Sequence, residues 1–376
     1  LENHPLPRTV EAAQLLHSRA LAATHKHTRG QMAFASPSYS TATASCGNTV
    51  GGNNNAFSPV AFGADPTGQV DSTDAFDKLT AAMFNTTRLA QVQMASGIFN
   101  LGGATLDLLG GEYLISKPFV VPLKIGNVRI TGGTLVASSS FPKDRFLVEI
   151  GSDACTPPDN QGVCNEFIAI DNVFFESSLS AAGGVHVTKT MGTTISSSFF
   201  HGFTTAGIQV DQGHETIITD SWLAEFYWSD GSQARKAAAA ACNGTVATGS
   251  AGVIFNGEDN YMNNVIIFDF TCVGVLVNGA ATTLDGVHSW NGGGVAISVN
   301  GSYDIQDRIV NCYLDYSVLE IVNPKFVLAQ GNFFYNAHAR LIGPSLEGLV
   351  MRENIYSLDD YGGDVSIELV DSGPQG

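Results

Sequence analysis

The stretch GVIFNGEDNYMNNVIIFDFTCVGVLVNGAATTLDGVHSWNGGGVAISVNGSYDIQDRIVNCYLDYSVLEIVN, residues 252–323, decides the fold. Asn256, Asn278, Asn300 and Asn323 recur in it at intervals of 22, 22 and 23 residues. Each closes a β-branched or apolar run: VIF, VLV, ISV and EIV. The beat continues backwards. Asp211 closes GIQVD 45 residues before Asn256, which reads as two intervals with the odd stretch between them replacing one rung. Thr188 closes GVHVT 23 residues earlier. A second column keeps the same rhythm through Asn172, Ser198, Ser221, Asn264, Gly286, Asn311, Asn332 and Asn354, each opening an apolar or aromatic run.

A period in this range marks a repeat architecture. The runs are short, β-rich and separated by Gly, Asn, Asp and Thr, with no helical periodicity. Roughly 22 residues hold three short strands and three turns, one coil of a right-handed parallel β-helix. The expected fold is all-β. Each strand then pairs with its equivalents about 4.8 Å above and below. Like residues stack on like, and an asparagine at a turn passes its amide to the next one. The recurring asparagines are read as structural on this ground.

The 376 residues carry Lys+Arg 18, a net charge of −17, 44% hydrophobic residues and Gly 41. So acidic a chain is no partner for nucleic acid. No apolar run reaches the roughly 18 residues needed to cross a membrane. Glycine-rich turns suit an ordered β protein, and a solenoid grows by adding rungs, so one long domain is expected over 56–376. Before it, residues 1–55 read as a helix (Thr9 to Thr24) and an extended arm. Phe57 to Leu89 reads as a strand, a Gly-Asp-Pro-Thr-Gly turn and a helix. Asp71 or Ser72 caps this helix, and Phe76, Leu79, Ala82 and Met83 form its buried face. An open β-helix end exposes strand edges and core, so this helix is expected to plug it. Residues 227–249 break the beat and read as a surface insertion.

Cys155 and Cys164 bracket a turn-rich loop and are expected to form a disulfide. Cys46, Cys242, Cys272 and Cys312 allow three pairings. Sequons stand at Asn85, Asn243 and Asn300. With Leu1 in place of an initiator methionine, these features read as a processed, secreted and extracellular glycoprotein.

The segments GADPTG…DST-AF and LGGATLDLLGGEYLISKP, with GGTLVAS, HGFTTAGIQVDQGHETIITDS, DGVHSWN and NCYLDY, resemble the pectate-lyase-like (pectin-lyase-like) superfamily. Within it the chain is similar to the plant QUARTET-type, polygalacturonase-like proteins related to glycoside hydrolase family 28. The resemblance covers about residues 57–356. It implies the β-helix and a polysaccharide substrate. The chain departs from the family's catalytic blocks. It has no Asn-Thr-Asp and no Gly-His-Gly. Gly257-Glu258-Asp259 matches the Asp-Asp block loosely, and Arg308-Ile309-Val310 lacks the lysine of Arg-Ile-Lys.

Stacking suggests where chemistry could sit, since carboxylates on adjacent rungs lie about 5 Å apart, near the retaining-glycosidase separation. Two clusters qualify. One, at the turn after the asparagine-ladder strand, holds Asp211, His214, Glu215, Glu258 and Asp259, with His214 aligned to Asp259. Turn capping explains the same residues. The other follows the Asn-x-apolar strand and holds His201, Glu225, Asp269, His288, Trp290, Asp315, Tyr316, His338 and Arg340. Here carboxylates recur beside aromatics, as a sugar groove requires; an exposed polar turn is the alternative. Arg308, Arg340, Lys325 and Lys189 are the cations for a polyuronide. With so few basic residues, a neutral glycan is the other choice.

The expected function is hydrolysis of glycosidic bonds in an acidic wall or matrix polysaccharide, one carboxylic acid donating a proton and another carboxylate activating water. No metal or cofactor is expected for that reaction. A catalytically silent structural or glycan-binding β-helix is the alternative. A calcium-dependent lyase or a fructan-type transferase is the third reading. The open edges of a solenoid leave oligomeric or matrix assembly available.

Overall fold

The computed structural model describes residues 55–85, 93–94, 97–157, 162–226, 250–290, 294–300, 306–357 and 366–370. The expected N-terminal arm, the 227–249 insertion, Asn243, Cys46 and Cys242 lie outside them. The described chain is a parallel β-helix with three faces, as the 22-residue beat requires.

The first face runs from Ala56–Phe57 and Phe99–Asp107 to Val350–Arg352. The second runs from Thr67–Asp71 and Glu112–Ile115 to Ile355–Ser357. The long strands Ile125–Ala137 and Asn165–Glu176 turn a corner and join both faces into one 21-stranded sheet. The third face is a separate 10-stranded sheet from Phe119–Val121 to Ile367–Val370, the last strand expected from the tail.

The ladder register explains the repeat. Thr188, Asp211, Asn256, Asn278 and Asn300 fall at equivalent positions, following the pairs Asp211↔Thr188, Val210↔Phe255, Phe255↔Val277 and Val277↔Val299. Asn278 Nδ2 donates to Asn256 Oδ1 at 2.9 Å, and Asn256 Nδ2 to Asp211 Oδ1 at 2.6 Å. Two details differ from the sequence reading. Val210 pairs directly with Phe255, so the 45-residue interval is one coil carrying extra residues and not two rungs. Asn300 pairs with Val322, so Asn323 sits one position out of the ladder.

The second column also divides. Its left-handed turn residues are Asn172, Ser197, Asp220, Asn264, Gly286, Asn311, Gly331 and Glu353. Ser198, Ser221, Asn332 and Asn354 stand one place later, inside the coil wall. There they satisfy buried backbone: Ser198 N–H donates to Ser221 Oγ, and Cys312 N–H donates to Asn332 Oδ1 at 2.9 Å. An amide at either position answers the same need, which is why the two columns merge in sequence.

The core fills by repetition. Phe175 stacks on Phe200 at 4.7 Å, and Phe334 on Tyr356 at 4.5 Å. Such stacks add about 0.5–1.5 kcal/mol beyond their burial. Close coils demand small residues at the corners. A side chain at Gly183 would place its first carbon 1.6 Å from the Ala206 carbonyl oxygen.

The helix Thr73–Met83 covers the N-terminal end, with Ala75, Phe76, Leu79 and Met83 buried. Ala82, expected inside, is only half-buried, and Ala75 takes its place. Of the two capping candidates, Asp71 does the work: Thr73 N–H donates to Asp71 Oδ1 at 2.8 Å. Ser72 Oγ instead accepts from Asp65 N–H. Asp71→Ala is expected to cost about 1 kcal/mol, measured as a lower denaturant midpoint at unchanged slope, whereas Ser72→Ala should leave the helix cap intact.

Cys155 and Cys164 form the expected disulfide. Cys272 is also disulfide-bonded. Cys312 is a buried free thiol, so the expectation that it pairs is corrected. It lies inside the wall, where Asn332 receives its backbone N–H. Among the described residues no helix is long and apolar enough to cross a membrane.

Candidate functional site

The two expected clusters lie at different corners of the coil. The first is the corner from the third sheet to the first. Asp211 ends the strand Ala206–Asp211. Its Oδ2 accepts from His186 Nε2 and Gln209 Nε2, each at 2.7 Å, and its Oδ1 from Asn256. Burial opposes its charge, but the hydrogen bonds from His186, Asn256 and Gln209 outweigh that and hold the carboxyl below the ordinary range. Asp211 is the head of the asparagine ladder. His214 aligns with Glu258 and not with Asp259, one position from the expected register. Its Nδ1 bonds the neighbouring Glu215 carboxylate. Glu215 and Asp259 both adopt φ +53°, so they shape the turn. The structure brings these residues together, but turn geometry accounts for them.

The second corner is different because of the face beside it. Strands of the second sheet alternate inward and outward. The inward residues Phe175, Phe200, Leu223, Ile267 and Leu314 are core. The outward residues stack in two columns. One runs Phe174, Phe199, Trp222, Ile266, His288, Tyr313, Phe333. The other runs Glu176, His201, Ala224, Phe268, Trp290 and then Asp315 and Tyr335. Rings therefore meet rings: Phe174 on Phe199 at 5.0 Å, Phe268 on Trp290 at 5.5 Å, His288 on Tyr313 at 4.6 Å. Trp222 is 46% exposed and meets Phe268 edge-on. The result is an aromatic-rich track along the helix axis, interrupted by Ile266 in one column and Ala224 in the other.

Carboxylates line the downstream edge of this track. Ala224 pairs with Phe268, so the next residues, Glu225 and Asp269, occupy equivalent places on neighbouring coils. Both are buried, at 7% and 1% exposure. Glu225 Oε2 accepts from Ser250 Oγ at 2.6 Å and Thr271 N–H at 2.7 Å. Burial exceeds these bonds and pushes its pKa up. Asp269 adopts φ +48°. Further along, Asp315 Oδ2 meets His288 Nε2 at 3.3 Å, and Asp315 with burial raises the Tyr313 hydroxyl pKa, burial being the larger cause. At the other end His201 Nδ1 donates to Glu176 Oε2 at 2.7 Å.

Of the residues expected at this corner, the structure gathers His201, Glu225, Asp269, His288, Trp290, Asp315 and Tyr316. It separates the cations. Arg308 starts a first-sheet strand, Arg308–Val310, and Arg340 sits in the third-sheet strand His338–Ile342. Arg340 Nε donates to Glu368 at 2.8 Å. His338 belongs to that sheet too, 3.4 Å from Glu368. Arg308 and Arg340, expected with Trp290 and Tyr316 among the substrate-binding residues, thus stand on faces other than that of Trp290: a shared coil does not mean a shared face. Sequence reading missed Phe174, Phe199, Trp222, Phe268, Tyr313, Phe333 and Tyr335. Their signal was present, since aligning the second column places aromatic residues at the first outward position of most coils. The remaining sequons are at Asn85, exposed just beyond the capping helix, and Asn300, half-buried at a strand end.

No family profile matches the chain. It is 32% identical over 315 residues to polygalacturonase QRT3 of Arabidopsis thaliana, across 81% of this chain and 62% of that protein. The chain thus spans less than two thirds of the length of the curated relative it matches. This likeness bears out the resemblance read in the sequence. Among solved structures it resembles PfbA, a surface adhesin of Streptococcus pneumoniae, with TM-score 0.57 and 10% identity over 84% of this chain and 82% of that one. It also resembles a mutant tailspike protein of E. coli bacteriophage HK620 in complex with pentasaccharide, with TM-score 0.52 and 12% identity over 84% and 65% of the two chains. At these identities the structural likenesses show the fold.

Proposed function

Because the chain is similar to polygalacturonase QRT3 over most of its β-helix, we propose that it is an extracellular carbohydrate-active protein hydrolysing a glycosidic bond in a wall or matrix polysaccharide. One observation carries this reading: the aromatic track is flanked on its downstream edge by Glu225 and Asp269, two buried carboxyls at equivalent places on adjacent coils. Adjacent coils are about 4.8 Å apart, near the roughly 5–5.5 Å of retaining glycosidases.

The roles follow from environment. Glu225, whose burial favours the protonated form, is assigned the part of the acid for the leaving oxygen. Asp269 is the carboxylate that attacks the sugar carbon or activates water. The rings of Trp222, Phe268 and Trp290 hold pyranose faces, and carboxylates accept the hydroxyls.

The second reading is a silent glycan-binding β-helix. It is favoured by Glu225 itself, whose bonds to Ser250 and Thr271 give it a structural task. A panel of polysaccharides assayed for reducing ends and ultraviolet absorbance separates the readings. New reducing ends without absorbance support the hydrolase. Absorbance supports a lyase. Silence in both assays, with glycan retained, supports the binding protein.

A further inference from the structure

The charge on the aromatic track is one-sided. From Phe174 to Ser357, the second-sheet strands and the described residues of the turns at their ends contain no lysine or arginine. They contain Glu176, Glu225, Asp269 and Asp315 on the downstream edge, and Asp220 and Glu353 on the upstream edge. The chain as a whole carries a net charge of −17. On the other faces Arg129 pairs with Asp171, Arg340 with Glu368, and Arg352 donates to Gln330 Oε1.

A polyuronide brings one carboxylate per sugar. On this surface each would meet the carboxylates of Glu176, Asp220, Asp315 and Glu353, with no lysine or arginine among the described residues of the face to offset them, and like-charge juxtaposition suppresses binding. A neutral sugar brings hydroxyl donors, which carboxylate oxygens accept well, and a C–H face, which stacks on rings. The track is long enough for several sugars. From Asn165–Glu176 to Phe333–Tyr335 it crosses seven strands, or roughly 29 Å.

Its upstream end widens into an open cleft of about 580 Å³, lined by Phe174, Phe199, Asp107 and Gly132 among others. Gly132 has φ +77° and no side chain to fill that space. Asp107 Oδ1 accepts Leu109 N–H at 2.9 Å, which fixes the carboxylate at the cleft wall.

We infer that the aromatic track and this cleft take a neutral glycan chain laid along the helix axis, with Phe174 and Phe199 as its terminal stacking subsite, and do not take a polyuronide. The inference rests on the proposed use of this face for saccharide. It departs from the acidic substrate expected from the sequence resemblance.

The test is affinity electrophoresis of the wild type, Trp222→Ala and Phe199→Ala in gels containing xylan, galactan, β-glucan or polygalacturonate, at low and moderate salt. Circular dichroism confirms that each variant folds. The expected result is retardation by at least one neutral polymer, insensitive to salt, and weakened roughly tenfold in Trp222→Ala, with no retardation by polygalacturonate. Retardation by polygalacturonate that Trp222→Ala removes would overturn the neutral-glycan inference and leave the saccharide face standing. Retardation by neither class, or binding that both variants leave intact, would overturn the saccharide face itself. Sedimentation showing that the track is covered by a second copy would overturn both.

Discussion

Asp307→Asn will flatten the dependence of thermal stability on pH between pH 5 and pH 8. Asp307 is 3% exposed at the corner before the strand Arg308–Val310. Among the described residues its carboxyl accepts from Thr282 N–H, to Oδ1, at 2.9 Å. Burial outweighs that bond and raises the carboxyl from 3.8 to about 7. The sign follows from proton counting. Between about pH 4 and pH 7 the folded chain holds a proton that the unfolded chain has released, so stability falls as pH rises. The loss is complete above about pH 7. At about 1.36 kcal/mol per pH unit it amounts to about 4 kcal/mol. Between pH 5 and pH 8, where about 2.7 kcal/mol of it falls, the wild type should lose roughly 3–5 °C of melting temperature. The asparagine variant keeps the acceptor for Thr282 and cannot ionise, so its curve should be flatter by that amount. Equal slopes in the two proteins would show that Asp307 ionises freely in the fold. Glu225 acts in the same direction, whereas Asp211, whose pKa is lowered, loses its contribution only as pH falls below the ordinary carboxylate range.

Removing either carboxyl of the proposed pair has the larger effect on activity. Once a hydrolysed polysaccharide is identified, Glu225→Gln and Asp269→Asn should each lower turnover by roughly 10²–10⁴-fold while leaving glycan retardation within a fewfold of wild type. The two should differ in pH profile. Glu225→Gln removes the limb on the alkaline side, where the acid must stay protonated, and Asp269→Asn removes the acidic limb. The comparison variant is Asp259→Asn at the other corner, where φ +53° and exposure mark a turn residue. It should retain activity. Loss of turnover in Asp259→Asn with full activity in Glu225→Gln would move the chemistry to the His214 corner.

The fold was legible because stacking turns each coil into a copy of its neighbour. The beat of Asn256, Asn278 and Asn300 is a record of one turn position, and their amide bonds explain its persistence. Legibility failed where one residue type serves two neighbouring positions. Asn311 and Asn332 look alike in sequence, yet one is a left-handed turn and the other is buried in the wall. It failed again for Arg308 and Arg340, because distance along a coil hides which of three faces a residue occupies. The carboxyls Glu225 and Asp269 were recognisable from their recurrence beside aromatics. Their alignment was not, because the insertion at 227–249 stands between them in sequence. Asp307 carried no signal at all: its shift comes from burial, which a single aspartate before a strand does not reveal.

The central claim is that saccharide lies along the outer face of the second sheet. Hydroxyl-radical footprinting with mass spectrometry tests it most directly, using whichever polysaccharide retards the protein. Trp222, Trp290 and Tyr313 should be protected by glycan. Tyr261, 47% exposed on the first sheet, is the internal control and should oxidise equally with and without it. Protection of Tyr261 with unchanged oxidation of Trp222 and Trp290 would place the saccharide on another face and contradict the account.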